Sequence, residues 1–487
     1  MLSSTLVRSR ELRLAIGAAV LLVMVRSIVP VAYEQIDFDS DQAIVGLMAK
    51  HISELRAFPL FFYGQNYMLG VQAWIAVPFF WVGGPTVTML RMPLVLMNMS
   101  VAALLVAMIA RLGVRPWLAF VATLPFMATP PVLSADLYVT LGASVEPFLY
   151  VLALWMVRGR PVLFGALLCF GALHREFTIF ALPAMVGAQL VERRRVDGCA
   201  IGQGALAFAA VWIVVDLLKR AQHGGSLALE AQMFSRWVSF DGGYFARLRS
   251  VIAGLAVFFG GRRISLDQYR LNSTLVTGSA AAGVALAIGL VICLGRLLWA
   301  ARDRAGRARF AGASFFVYLA LVAIGALTAY GLNVGINPED APQFRYVLFA
   351  VLLPIAVLGG FFLAERSRGW LTAVSYAVAL WAAFAIRDNV RLIQEYRTAP
   401  PVNEFRQLAD HLVAHKIEYG YAQYWDCYIV DFLSRERVIL ASTDFVRIEA
   451  YQQLVDAHAS SAVSIDRVPC STGAHFASWC IDDPLKR

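Results

Sequence analysis

The stretch that decides the fold is residues 14–41, LAIGAAVLLVMVRSIVPVAYEQIDFDSD. Its first part, from Leu14 to Ala32, is apolar over about the 20 residues that an α-helix needs to cross a bilayer. It ends in three carboxylates, Asp37, Asp39 and Asp41, and acids beside a membrane are costly unless they have a partner or a task. The stretch therefore predicts a membrane-spanning helix followed by an acidic loop with a chemical role.

The whole chain has the composition of a polytopic α-helical membrane protein. Of its 487 residues, 59% are hydrophobic and 15% are charged, whereas soluble domains carry about 25% charged residues. The net charge of +9 comes from basic residues in short loops, which indicates membrane orientation rather than nucleic-acid binding. Arginines precede a long apolar stretch at the N-terminus and no cleavage motif follows it, which predicts an uncleaved helix rather than a signal peptide.

Apolar blocks predict about eleven transmembrane helices, near 14–32, 90–110, 117–133, 142–157, 161–173, 177–191, 199–218, 277–299, 310–331, 345–363 and 369–386. With this assignment, the arginine-bearing connections all lie on the same side as the basic N-terminus. The positive-inside rule makes that side cytoplasmic. The chain is therefore predicted to lie in the inner (cytoplasmic) membrane, with a cytoplasmic N-terminus and an extracytoplasmic C-terminus.

Two further apolar stretches, Val71–Val82 and Val251–Phe259, are too short to span. We expect them to be juxtamembrane helices at the outer surface. The outer side then receives the loops 33–89, 219–276 and 332–344, together with the tail.

Two domains are predicted, a transmembrane module over 1–389 and a small extracytoplasmic α/β domain over 390–487. The tail alternates helical patterning over 402–415 with strand-like segments at Tyr419–Tyr424, Val438–Ala441 and Ala462–Ile465, which is typical of an α/β fold. Cys470 and Cys480 are spaced for a disulfide on an oxidising side of the membrane, and the sequence leaves open whether they are bonded.

The acidic loop holds the candidate catalytic residues. Asp41 is expected to be the N-cap of a helix-like run, Gln42–Glu54, which is a structural role. A carboxylate there is also suited to act as a general base that deprotonates an acceptor hydroxyl while a sugar leaves a phosphate. Asp39 is the alternative base, and Asp37 is expected to be solvated or paired.

A second candidate site is the segment with Tyr63, Gln65, Asn66 and Tyr67, in which amide side chains lie between aromatic rings. This composition suits a sugar-binding pocket. Glu176 and Tyr346 are also predicted to belong to this substrate pocket. The alternative is an interfacial turn, because aromatic residues are common at membrane boundaries.

Two charged clusters are candidates for donor binding. His174, Arg175 and Glu176 interrupt two short helices, and the planar guanidinium of Arg175 suits a lipid phosphate, with His174 assisting. The alternative is a local Arg175–Glu176 pair. Arg345, followed by Tyr346, opens a later helix from the outer side and either reaches a phosphate or snorkels. Arg26, inside the first helix, is a further cation in the outer half of the membrane.

No metal site is predicted, because the seven histidines have no recognised ligand spacing. A divalent cation that bridges the loop acids to a sugar phosphate remains an alternative, and no other cofactor is expected. A glycine-rich loop that cradles phosphate is absent from the sequence, so nucleotide binding is not expected.

In their order, three motifs resemble those of the GT-C glycosyltransferases: Asp39-Ser40-Asp41-Gln42-Ala43, Gly64-Gln65-Asn66-Tyr67 and Leu90-Arg91-Met92-Pro93. The similar branches are protein O-mannosyltransferases, lipid A aminoarabinose transferases and bacterial dolichyl-phosphate-mannose-type transferases. The resemblance covers roughly residues 10–390. It implies inverting transfer of a sugar from a polyprenyl-phosphate donor to a protein, lipid or polysaccharide of the cell envelope, at the outer membrane face.

The resemblance also implies roles for individual residues. In the family the first outer loop supplies the catalytic acid, which by position points to Asp41. Many relatives have Asp-Glu where this chain has Asp41-Gln42, so Asp39 stays an alternative. Arg175 and Arg345 would bind the donor or leaving-group phosphate.

Two other classes of function compete with this interpretation. One is a transporter or flippase of lipid-linked sugars, which predicts charged residues deep within helices along a pathway. The other is a non-catalytic scaffold whose tail binds an envelope partner. The sequence specifies neither the sugar nor the acceptor, nor the oligomeric state.

Overall fold

The chain forms two compact units. The computed structural model describes residues 2–141, 144–193, 197–223, 227, 238–260, 279–300, 302, 313–339, 344–468 and 474–482. The helical unit comprises Met1–Val29, Leu94–Tyr138 and Gly142–Thr398, and the mixed unit comprises Pro30–Pro93, Val139–Leu141 and Ala399–Arg487. The sequence placed the loop 33–89 with the transmembrane module, whereas in the structure this loop is part of the same compact unit as the tail.

Apolar helices account for most of the chain before the tail. Six of the described helices are long and apolar enough to cross a membrane: Ser9–Ala32, Val87–Arg111, Gly198–His223, Ala281–Trp299, Ser314–Leu332 and Arg368–Thr398. Shorter apolar helices are Val71–Gly83, Pro116–Met127, Glu146–Met156, Pro161–His174 and Leu348–Ala364. The chain is therefore a multi-pass α-helical membrane protein.

Some predicted spans are interrupted where the backbone chemistry requires it. The predicted span 117–133 ends as a helix at Met127 and resumes as Pro131–Asp136, because a proline restricts the residue before it and lacks an N–H. The predicted pair 161–173 and 177–191 becomes Pro161–His174, a 3₁₀ turn Glu176–Phe180 and the helix Ala181–Arg193.

Two other segments are longer than expected. Val251–Phe259 is the second half of a 17-residue helix, Tyr244–Gly260. The last apolar helix continues through polar residues to Thr398, well past the predicted end at 386. Much of the predicted outer loop 219–276 and of the arginine-rich connection 300–309 lies outside the described residues, as does Cys470.

A polar cluster lies inside the helical unit around Arg26, which is buried. Its guanidinium donates to Oγ1 of Thr129 at 3.0 Å and to Oδ1 of Asn98 at 2.6 Å. The same group lies 5.0 Å from the ring centre of Phe126. Neutral hydrogen bonds and an aromatic face thus surround this cation, so it is a packing element of the helical unit.

The tail contains a five-stranded mixed sheet. Its strands are β3 (Tyr419–Ala422), β4 (Ile439–Ser442), β5 (Val463–Arg467), β6 (Ala474–Phe476) and β7 (Trp479–Asp482). In the order β4-β3-β5-β7-β6, the β4–β3 and β3–β5 pairs are parallel, and the β5–β7 and β7–β6 pairs are antiparallel. Parallel neighbours need crossover helices, and Tyr424–Leu433 and Glu449–Ala457 supply them; Glu404–Ala414 precedes the sheet.

The loop from the first half of the chain supplies part of the core of this mixed unit. It forms the helix Ser40–Ser53, called here the acid-loop helix, and the hairpin β1 (Phe61–Phe62) and β2 (Gln65–Leu69). Gly46 lets the acid-loop helix approach the crossover helix Tyr424–Leu433 closely, because a β-carbon at Gly46 would lie 2.5 Å from Cε2 of Phe432. The acid-loop helix is therefore built into the tail domain.

Candidate functional site

The acid-loop helix begins one residue after Asp39. The Asp39 carboxylate accepts a 3.0 Å hydrogen bond from the backbone N–H of Gln42 and is the N-cap. The expectation that Asp41 is the N-cap is therefore wrong: Asp41 lies in the first helical turn. A capping oxygen must face the exposed N–H groups of the first helical turn. Asp39 therefore caps the helix, and the carboxylate of Asp41 is not used for capping.

Asp41 is held by the tail domain. The hydroxyl of Tyr424, at the start of the crossover helix, donates a hydrogen bond to Oδ1 of Asp41. The neighbouring Ser40 hydroxyl donates to the backbone carbonyl of Tyr424 at 2.6 Å. Burial and the negative charge of Asp41 both raise the pKa of Tyr424 far above its ordinary value, so the phenol keeps its proton. Two consecutive residues of the acid-loop helix are thus fixed to one residue of the tail.

Gln42, which replaces the second acid of the family pattern, has a structural role. Its side-chain amide donates to the carbonyl of Asp37 and accepts from the N–H of Thr140 at 3.2 Å. Gln42 is buried, so a neutral amide with both ends bonded is favoured here over a carboxylate. Asp37 has a positive φ of 51°, which marks a tight turn between the first helix and the acid-loop helix.

The segment predicted as a sugar pocket forms the hairpin β1–β2. Gly64 makes its turn with a φ of +68°, and its carbonyl accepts a 2.9 Å hydrogen bond from Nη1 of Arg447. The guanidinium of Arg447 lies 5.8 Å from the ring centre of Tyr424. The hairpin turn, Arg447 and the Tyr424–Asp41 pair are therefore close to one another in the mixed unit.

The four pocket residues predicted in the hairpin segment differ in their surroundings. The Tyr63 hydroxyl pairs with Nδ1 of His51 at 3.0 Å, and burial raises the pKa of Tyr63 to about 12. Gln65, Asn66 and Tyr67 lie on β2 and are half-buried. A sugar-binding role for these side chains stays a prediction.

A buried ion cluster fastens the other end of the acid-loop helix. The Glu436 carboxylate, whose side chain is 8% exposed, pairs with Lys50, with Arg56 and with Nε2 of His51 at 3.0 Å. It also accepts from the Tyr451 hydroxyl at 2.8 Å. Burial alone would raise the pKa of Glu436, but hydrogen bonds from His51, Arg56 and Lys50 hold it well below its usual value.

In the helical unit, the break predicted at His174–Glu176 is real, but Arg175 has a different partner from the one expected. Arg175 is 1% exposed and donates Nη2 and Nε to one oxygen of Glu146, at 2.7 and 3.2 Å. Glu176, the expected partner, is exposed. The Glu146 side chain comes from the start of an adjacent helix, so the pair fastens two helices rather than closing a local turn.

The other predicted donor-site residues gather around the same break. Nδ1 of His174, a buried residue, is 2.9 Å from the hydroxyl of Tyr150. The rings of Phe177 and Tyr346 stack with centres 6.1 Å apart, which brings 344–346 beside the 3₁₀ turn. Arg345 is half-buried, its guanidinium lies over the Tyr346 ring at 4.9 Å, and it donates to the Tyr346 hydroxyl at 3.1 Å.

Metal ligation and cysteine chemistry add little to the site. Among the described residues, no group of three or more His, Cys, Asp or Glu side chains is arranged to hold a metal ion. Cys169, Cys199, Cys293 and Cys427 are free thiols, and Cys480 is disulfide-bonded. The carboxylates Asp39 and Asp41 thus have structural partners in the protein rather than a described set of metal ligands.

The fold is similar to that of known membrane proteins of solved structure. No family model and no curated protein sequence matches the chain. Among solved structures, an oligosaccharyltransferase from Archaeoglobus fulgidus, determined with zinc and sulfate, matches at a TM-score of 0.50 and 12% identity, covering 92% of this chain and 67% of that one. ArnT from Cupriavidus metallidurans, bound to undecaprenyl phosphate, matches at 0.43 and 14%, covering 92% and 93%. The chain therefore shares the fold of the archaeal oligosaccharyltransferase.

Proposed function

We propose that this protein is an inverting membrane glycosyltransferase. It transfers a sugar from a polyprenyl-phosphate-linked donor to an acceptor of the cell envelope, at the outer face of the cytoplasmic membrane. A fold alone does not specify a reaction. The observation that carries the proposal is the carboxylate of Asp41, which is oriented by Tyr424 through one oxygen and lies in the loop where GT-C enzymes carry their catalytic acid.

The reaction follows from what a held carboxylate can do. The acceptor hydroxyl attacks the anomeric carbon of the donor sugar while Asp41 takes the hydroxyl proton. A glycosidic C–O bond forms, the C–O bond to phosphate breaks, and attack from the opposite face inverts the anomeric centre. General-base assistance of this kind is worth about 10²–10⁴ in rate. Asp39 is the weaker candidate because its carboxylate is occupied as the N-cap.

The leaving group is a polyprenyl phosphate, whose developing charge requires a cation. We assign this role to Arg345, which is half-buried and presents a planar guanidinium. The charge of Arg175 is matched by Glu146 at 2.7 Å, so its proposed role changes from binding phosphate to holding the helix break. His174, which pairs with Tyr150, is assigned to the same break, and Glu176 stays a predicted residue of the substrate pocket. A divalent cation that bridges the loop acids to the donor phosphate stays an alternative source of positive charge.

The test uses purified full-length protein in nanodiscs, a panel of polyprenyl-phosphate sugars and envelope acceptors, and mass spectrometry of the products. We expect a new glycosidic product, and Asp41→Asn should lower its rate by about 10²–10⁴. Asp39→Asn is the matched comparison, because asparagine caps a helix as well as aspartate does, so most activity should remain.

The possible outcomes separate the hypotheses. Full activity in Asp41→Asn would refute its role as base, and loss of activity in Asp39→Asn alone would move that role to Asp39. Sugar-lipid movement across vesicles with no new glycosidic bond would instead support a flippase. Activity that survives every acid substitution but is lost on deleting 390–487 would support a scaffold.

A further inference from the structure

The environment of Tyr424 extends the site into the tail domain. Tyr424 is 5% exposed, and its ring makes edge contacts with those of Trp425, Tyr428 and Phe445, with centres 4.9–5.7 Å apart. Its backbone N–H donates to Oδ1 of Asp444 at 2.7 Å. Both the main chain and the ring are therefore fixed, so the phenol hydroxyl points in one direction.

The hydrogen bond to Asp41 uses only one of its two carboxylate oxygens. Oδ1 accepts from Tyr424, and no hydrogen bond to Oδ2 is found among the described residues. Rotation of a carboxylate about its χ2 torsion is normally soft. A donor fixed on Oδ1, together with the Ser40 bond to the Tyr424 carbonyl, restricts that rotation and determines which way Oδ2 faces.

We propose that Tyr424 is a positioning residue that orients Asp41 so that Oδ2 receives the proton of the acceptor hydroxyl. This inference rests on the proposed function. It gives the tail domain a part in the chemical step. A proton acceptor misplaced by about 1 Å can cost about 10²-fold in rate, so the effect of such a positioning residue is measurable.

The experiment is a substitution of Tyr424→Phe, which removes the hydroxyl and keeps the ring. A hydrogen bond to a charged group corresponds to about 10- to 150-fold in an equilibrium or rate, so kcat should fall by about that factor. The KM for the acceptor should change less than threefold.

The matched control is Tyr421→Phe. The Tyr421 hydroxyl, on β3, also donates to a carboxylate, Oδ1 of Asp456 at 2.8 Å, and that acid has no part in the proposed site. This variant should keep the kcat and the acceptor KM of the unmodified protein. It controls for the loss of a phenol–carboxylate bond in the same domain.

A double-mutant cycle with Asp41→Asn separates this inference from the proposed function. If Tyr424 acts through Asp41, the double variant should be no slower than Asp41→Asn alone. Equal losses from Tyr424→Phe in both backgrounds, or a loss that appears in the acceptor KM rather than in kcat, would overturn the positioning role and leave the base assignment standing. Full activity in Asp41→Asn would instead overturn the base assignment itself.

Discussion

Glu436→Gln is the most informative perturbation of the mixed unit. The substitution keeps the shape of the side chain and removes the charge that pairs with Lys50, Arg56 and His51. Removing one partner of a buried ion pair costs about 3–5 kcal/mol, because the remaining charges stay desolvated. The Arg56 side chain is 48% exposed and can be rehydrated, so we expect the lower end of that range, about 3 kcal/mol.

The assay is hydrogen–deuterium exchange of the full-length protein, followed in peptides from Ser40–Ser53. A loss of about 3 kcal/mol corresponds to a rise of about 150-fold in the opening equilibrium, and exchange in this helix should speed up accordingly. Glu449→Gln is the control, because Glu449 is exposed on the helix Glu449–Ala457 of the same domain. Exchange within about threefold of the unmodified protein in Glu436→Gln would refute the reasoning.

The same cluster predicts a pH dependence. The pKa of Glu436 is lower in the folded protein than in the unfolded chain, so its contribution to stability is present at pH values above the unfolded value, about 4.3. That contribution is lost progressively as the pH falls from there toward the folded value. After correction for intrinsic exchange rates, the unmodified protein should lose protection on acidification, whereas Glu436→Gln should show a flatter response.

Two further predictions concern packing. Arg175→Ala leaves the Glu146 carboxylate buried without its partner and should lower the free energy of unfolding by about 3–5 kcal/mol. The double change with Glu146→Ala should recover more than about 1 kcal/mol of this loss in thermal unfolding. Strictly additive losses from the two substitutions would contradict the pairing. Gly46→Ala places a β-carbon 2.5 Å from the Phe432 ring and should lower the free energy of unfolding by about 1–3 kcal/mol. Phe432→Leu should restore part of this loss in the same unfolding measurement. No loss in Gly46→Ala would show that the two helices can move apart without cost.

The distribution of apolar residues along the chain was enough to predict the helical membrane fold. The thickness and apolar interior of a bilayer set the length and composition of each span independently of the others. Leu14–Ala32 needs no knowledge of the rest of the chain to be assigned. The α/β character of the tail was also readable, since its strands Tyr419–Ala422 and Ile439–Ser442 have apolar residues bounded by turns. The hairpin of β6 and β7 was missed because strands of three or four residues give too little alternation to detect.

The candidate site was predictable in part. The acids of the first loop are conspicuous in the sequence, but which of them is the N-cap depends on where the helix begins. The helix begins two residues earlier than expected, which makes Asp39 rather than Asp41 the N-cap. For Arg175 the sequence offered Glu176 as the nearest acid, yet side chains of adjacent residues at a helix end point in different directions. Its partner, Glu146, is supplied by tertiary packing.

The contacts of Glu436 and Tyr424 could not be predicted from one sequence. Each joins the acid-loop helix to a residue of the tail that is more than 380 positions away along the chain. No periodicity or motif relates residues at such separations. One indication was present: the buried face of the acid-loop helix includes Lys50 and His51, and buried charges require partners.

The joining of Pro30–Pro93 to Ala399–Arg487 has a consequence for how the protein is made. About 300 residues separate the two segments, and at about 5–20 residues per second the ribosome needs about 15–60 s to synthesise them. During that interval the acid-loop helix exists without Phe432, Tyr424 or Glu436, so its apolar and charged faces lack their native cover. We therefore expect the acid-loop helix to reach its native packing only after the tail residues that cover it have been synthesised.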